Sequence, residues 1–260
     1  MGRVSTGIRE LDKMLSGGFM QGDAVMVAGS AGTGKTTLAL QCLFNGITKF
    51  DENGIYVTFE QMPDQIYRDA KNFGWDLPKL ERNGKFKLIC TTPSLLLESG
   101  GLDIILGEPI RELRPKRIVI DSLTHLEMFV PPNEIRKEAY RLIMYLKTKG
   151  LNSILVWESS QSMGQAATLA LTEHGLSFLV DCIIMLRSVE IESAVKKALV
   201  ILKMRGSNHD KQLREFDITN EGIDIKAPFT KYEGLFTGSP RKTGIEEVAK
   251  VWSKNFGENR

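Results

Sequence analysis

"GSAGTGKTT" occupies residues 29–37, with three glycines, three threonines and one lysine in nine positions. It fits the spacing G-x-x-x-x-G-K-[ST], with Gly29, Gly34, Lys35 and Thr36 at the fixed positions. Bare glycines let backbone N–H groups turn inward and surround phosphate oxygens. A helix beginning near Lys35 would add the positive end of its dipole. The residues expected to hold the phosphates are Ser30, Ala31, Gly32, Thr33, Gly34, Lys35, Thr36 and Thr37. Lys35 would place its charge on the β- and γ-phosphates, and the Thr36 hydroxyl is a candidate Mg²⁺ ligand.

The surroundings of the loop have the pattern this chemistry requires. "DAVMVAG" (23–29) is a short apolar run ending in glycine, as a buried strand would. "KTTLALQCLFNGITKF" (35–50) repeats apolar residues at helical spacing. Further strands are expected at 54–60, 85–90, 117–122 and 152–159. Helices are expected from Pro63 to the Gly74 stop and over 133–150, the second capped by Asn133. Strands alternating with helices imply a mostly parallel sheet covered on both faces. After about residue 180 the pattern becomes strand–turn–strand, with a polar turn at Glu192-Ser193 and two more short strands over 214–225. The expected fold is therefore α/β with an antiparallel C-terminal extension and a last helix at about 244–256. No linker divides residues 1–260, so one domain is expected.

Two carboxylates end apolar strands. Asp121 closes "IVID", the position from which a carboxylate can orient Mg²⁺. Glu60 closes "YVTFE", from which it can hold and polarise an attacking water. Strand C-terminal ends gather on one edge of a parallel sheet, where ligands bind. The composition removes other classes. A net charge of +2 argues against a dedicated polybasic nucleic-acid binder. Cys42, Cys90 and Cys182 are odd in number and widely spaced, so a reducing cytoplasm and roles as small core residues are expected. His125, His174 and His209 are too scattered for a metal site, and no apolar run reaches the length of a membrane span.

"STGIRELDKMLSGGF" (5–19), "YVTFEQMPDQIYRDAKNFGWDL" (56–77), "RIVIDSLTHL" (117–126) and "ILKMRGSNHDKQLREFDIT" (201–219), with the phosphate loop, resemble the KaiC-like branch of the RecA-type ATPases. The likeness covers nearly the whole chain. It implies a RecA-like P-loop fold and a homo-oligomeric ring, hexameric in the family, with Mg²⁺ and ATP or ADP at subunit interfaces. One subunit would supply the P-loop. Its neighbour would supply Lys203, Met204 and Arg205, with Lys203 and Arg205 reaching the γ-phosphate. Ser207, His209, Lys211, Thr219 and Asn220 match further nucleotide-contacting positions of the family. Where family members often carry a Glu pair, this chain has Glu60-Gln61; Gln cannot accept a proton, so Glu60 is the expected base and turnover is expected to be slow if the second position matters. The family's autophosphorylated Ser and Thr correspond to Ser177 and Phe178, which argues against such a cycle here.

Three functions stay open on the sequence. The first is a regulatory ATPase with a protein partner. The second is a single-stranded-DNA-binding recombination accessory. The third is a nucleotide-gated scaffold with little hydrolysis. The segment 159–175, placed where recombinases carry DNA-binding loops, contains no aromatic residue, Lys or Arg. That weakens the second reading. "RELRPKR" (111–117) reads as a solvated turn.

Overall fold

The computed structural model describes residues 2–159, 175–230, 232–234, 241 and 242. The strands are β1 (Arg3–Val4), β2 (Phe19–Met20), β3 (Ala24–Gly29), β4 (Gly54–Thr58), β5 (Phe86–Cys90), β6 (Arg117–Asp121), β7 (Asn152–Glu158), β8 (Cys182–Ile191), β9 (Ala194–Met204), β10 (Arg214–Thr219), β11 (Gly222–Pro228), β12 (Tyr232–Glu233) and β13 (Arg241–Lys242). The helices are α1 (Arg9–Met14), α2 (Lys35–Phe50), α3 (Pro63–Asn72), α4 (Leu77–Arg82), α5 (Pro93–Leu97), α6 (Glu108–Leu113) and α7 (Pro132–Thr148).

Nine strands form one sheet in the order β11-β10-β9-β8-β3-β7-β6-β4-β5. From β8 to β5 every pairing is parallel, and from β8 outward to β11 every pairing is antiparallel. This is the expected mixed α/β architecture. Alternation along the strands divides the core in two. Val25, Val27, Tyr56 and Val119 face α1 to α4, packing with Leu11, Leu38, Leu43, Ile66 and Leu77. Met26, Ile55, Val57, Ile118 and Ile120 face α7 and the 93–113 segment, packing with Leu96, Leu106, Ile135, Leu142 and Leu146. The chain leaves β3 through α2 and returns at β4, skipping the positions of β7 and β6. The crevice over the C-terminal ends of these strands is where such sheets bind ligands.

Local chemistry explains several boundaries. Glu192 and Ser193 both have left-handed φ, 51° and 64°, which a two-residue hairpin needs to match the twist of β8 and β9. Asn133 is not the cap of α7. The helix begins at Pro132, whose fixed φ suits the first helical position, and Pro131 precedes it. The segment 111–117 is only partly a solvated turn: Arg117 begins β6 with its side chain 2% exposed. Its guanidinium donates to the carbonyls of Cys42 and Ser5 and pairs with Glu52. Gly46 makes room for it inside α2, since a Cβ there would lie 2.5 Å from Arg117 Nε. Cys42 and Cys182 are buried as expected, but Cys90 is exposed at the end of edge strand β5. The expected helix at 244–256, His174 and residues 160–174 of the polar segment lie outside the described residues. Among the described residues, no helix is long and apolar enough to cross a membrane.

Candidate active site

The loop between β3 and α2 wraps a cleft of about 320 Å³ lined by Ala31, Gly32, Gly34, Lys35, Thr36 and Thr37, with Glu60, Asp121, Ser122, Val156, Glu158 and Ile218 opposite. Gly32 and Gly34 have φ of 72° and 98°, which L side chains rarely adopt. A Cβ at Gly34 would also come within 2.9 Å of Ile218 Cδ1. Thr33 is buried and pins the loop from inside, its hydroxyl donating to the Ser30 carbonyl at 2.8 Å. No side chain caps α2, so its first-turn amides keep their free donors for a ligand.

Four strand ends bring the polar groups together. Lys35, only 7% exposed, donates to the Ser30 carbonyl at 2.9 Å and to Glu158 Oε2 at 3.1 Å. Glu158 closes β7 directly beside Gly29 in the sheet register. The Thr36 hydroxyl donates to Asp121 Oδ2 at 2.7 Å, and the Tyr56 phenol donates to the same oxygen at 2.5 Å. Burial pushes the Asp121 carboxyl above its usual range, while the Tyr56 and Thr36 hydrogen bonds and the Lys35 charge oppose that shift. Glu60 stands at the mouth with its side chain 71% exposed, 3.9 Å from His125 Nε2. Its turn is fixed from below, where Thr58 Oγ1 accepts from the Glu60 and Gln61 amides. His125 also meets Ser122 Oγ at 3.0 Å through Nδ1. A second hollow of about 260 Å³, lined by Glu60, Ser122, Thr124, His125, Glu127, Met128 and Glu158, continues from the first.

The donor set fits a phosphate and a hard cation. It offers an ammonium, helix amides, a hydroxyl and a carboxylate around a loop in which side chains would obstruct the backbone. Three participants escaped the sequence reading. Tyr56 looked like one more apolar strand residue. Glu158 ends an apolar run just as Glu60 and Asp121 do, and that signal was available. Lys197, on β9, donates to the Gly32 carbonyl at 2.5 Å, a contact no local pattern marks.

The residues matched to the family's nucleotide contacts fall in two places. Thr219 ends β10 and Asn220 opens the turn to β11, directly after Ile218, which lines the P-loop cleft of the same chain. Lys203, Met204 and Arg205 lie at the opposite end of the sheet. Met204 pairs with Cys182, and Cys182 with Val25, at the start of β3. There Lys203 donates to the carbonyls of Ser177 and Val180, both at 2.7 Å. Arg205 meets Asp181 Oδ1 and the Phe178 carbonyl, both at 3.1 Å. Burial and the Arg205 charge hold the Lys203 ammonium below its usual range. Ser207 lies nearby, hydrogen-bonded to Arg3. His209 and Lys211 flank Asp210, which accepts from the Arg214 guanidinium.

Fold and site together define a P-loop protein of the RecA-like α/β class, built to bind nucleotide. The chain belongs to the KaiC ATPase family: the family model described as "ATPase: KaiC" matches residues 4–229. It is 35% identical over 96% of its length to "Circadian clock oscillator protein KaiC 1" of Synechocystis sp., covering 47% of that protein. It is 36% identical to "Circadian clock oscillator protein KaiC" of Nostoc sp. over 96% of this chain and 47% of the relative. To "Circadian clock protein KaiC3" of Synechocystis sp. it is 31% identical over 96% of this chain and 48% of the relative. The chain thus spans about half the length of the curated relatives it matches.

Proposed function

We propose that this chain hydrolyses Mg-ATP at the interfaces of a ring of identical subunits and serves as a regulatory ATPase with a protein partner. The observation that carries the reading is the separation of charges. The P-loop, Thr36, Asp121 and Glu60 share one cleft, whereas Lys203 and Arg205 sit at the far end of the sheet. Within one copy they are kept apart by the length of β8 from Cys182 to Leu186, roughly 13 Å at about 3.3 Å per residue. A second copy placed head to tail brings its Lys203 and Arg205 to the first copy's cleft. Repetition of that contact gives a ring when the rotation closes.

In this reading Thr36 and Asp121 would hold Mg²⁺, which would offset negative charge on the nucleotide phosphates. Lys35 gives up Glu158 for the phosphates. Asp121 and Thr36 hold the cation side of the cleft. Glu60, exposed at the mouth of the cleft, orients the water and takes its proton. Arg205 of the neighbouring copy meets charge developing on the transferred group. The clock relatives' names support a regulatory rather than a metabolic role. The near-neutral charge disfavours single-stranded DNA as the partner.

Release of phosphate from γ-labelled ATP tests the reading directly. The full chain with Mg²⁺ should release free phosphate at a rate unaffected by single-stranded DNA at low salt. Glu60→Gln should keep ATP affinity and lower turnover by about 10²–10⁴-fold, the range for a positioned general base. Full activity in that variant would move the base elsewhere. Stimulation by DNA would favour the recombination accessory.

A further inference from the structure

We propose that Tyr56 is a positioning residue for the cation side of the cleft, its phenol fixing Asp121 so that Asp121 in turn fixes the Thr36 hydroxyl. The inference rests on reading the cleft as a Mg-nucleotide site. β4 and β6 are parallel neighbours, with Tyr56 opposite Val119 and Thr58 opposite Asp121. Alternation turns Tyr56, Val119 and Asp121 toward the face covered by α2, the helix that carries Thr36. Tyr56 has no exposed surface and packs in the same core as Leu38, Ala39 and Leu43 of α2. Its ring therefore has little freedom, and the hydroxyl at its tip ends 2.5 Å from Asp121 Oδ2.

The arrangement has a directional consequence. Asp121 Oδ2 receives two O–H donors, from Tyr56 and Thr36, so Oδ1 is left out of both bonds. Thr36 Oγ1 has one proton and commits it to Asp121. Its lone pairs are then directed away from the carboxylate, available to a cation. The chain of bonds runs from a rigid core side chain, through the carboxylate, to the hydroxyl that would ligate. Phenylalanine would fill the same space and leave Asp121 Oδ2 held by Thr36 alone. Partners of this kind, one bond removed from a ligand, typically change metal affinity by about 10–100-fold when lost.

The test measures binding rather than turnover. Wild type, Tyr56→Phe and Asp121→Asn are titrated with a fluorescent ADP analogue in EDTA, and then with Mg²⁺ at fixed nucleotide. Tyr56→Phe should bind the analogue in EDTA within about twofold of wild type and need about tenfold more Mg²⁺ for the same response. An unchanged Mg²⁺ requirement overturns the proposal. So does an equal loss of affinity in EDTA, which a merely structural tyrosine would cause. Absence of nucleotide binding by wild type would overturn the Mg-nucleotide reading itself. A Mg²⁺ response lost in Asp121→Asn but intact in Tyr56→Phe would spare that reading and remove only the role of Tyr56.

Discussion

The two ends of the central strands carry nearly the same charges in opposite arrangements. At the C-terminal end of β3, Lys35 is paired with Glu158, whose side chain is 49% exposed, and the pair borders an open cleft. At the N-terminal end, Asp181 is 9% exposed and is enclosed by Lys147 at 2.5 Å, Arg205 at 3.1 Å and the Ala24 amide at 2.9 Å. The first pair can be exchanged for a ligand because one partner already faces water. The second is closed except at Arg205, which is 56% exposed while bonded to Asp181 and the Phe178 carbonyl. The P-loop end is built to receive charge from solution, and the far end to hold a cation at the surface in a fixed direction.

If the far end acts on another copy, the two ends must complete one site between subunits. Arg205→Ala should lower turnover by about 10³-fold or more, as loss of an arginine finger does, while nucleotide affinity changes only a few-fold. Lys35→Ala should lose nucleotide binding. Mixed rings of the two inactive variants should regain part of the activity, because some interfaces combine an intact P-loop with an intact Arg205. Verified mixed oligomers with no recovered phosphate release would place Arg205 outside the reaction.

A second expectation concerns stability. Asp181→Ala leaves Lys147 and the Ala24 amide without their buried partner, and should destabilise the fold by about 3–5 kcal/mol. Removing Glu158 should cost less than that, because Glu158 is half exposed and the buried Lys35 ammonium keeps the Ser30 carbonyl as an acceptor. Urea unfolding of the two variants measures the contrast directly. Equal losses would mean that the two ends are not built on different principles.

The same contrast explains what was legible in the sequence. The P-loop end was readable because its chemistry is local. Gly32, Gly34, Lys35 and Thr36 carry their geometry in nine residues, and Asp121 and Glu60 mark the ends of apolar strands. The turn at Glu192-Ser193 was readable for the same reason. What escaped depends on partners far along the chain. Arg117 looked solvated because its neighbours in sequence are polar, yet its acceptors come from Ser5, Cys42 and Glu52. Gly46 reads as a flaw in a helix until Arg117 is placed against it. Tyr56 has the same pattern as any buried strand residue; only the β4–β6 register shows that its hydroxyl reaches Asp121. The placement of Thr219 beside the P-loop, away from Arg205, likewise follows from strand order and not from spacing.

The smallest effect is the most specific to the open end. Glu158→Gln keeps the shape of the side chain and removes the charge that competes for Lys35. If phosphate binding requires Lys35 to leave Glu158, neutralising Glu158 should tighten ATP or ADP binding by up to about fivefold, the equivalent of an exposed ion pair of less than about 1 kcal/mol. The gain should shrink as salt rises, because the pair borders solvent. Isothermal titration at two ionic strengths reads both quantities. Weaker binding in Glu158→Gln would mean that the carboxylate holds Lys35 ready for the phosphates instead of competing with them. The ion pair at the open end would then be a support, as Asp181 is at the closed end, and the contrast between the two ends would rest on exposure alone.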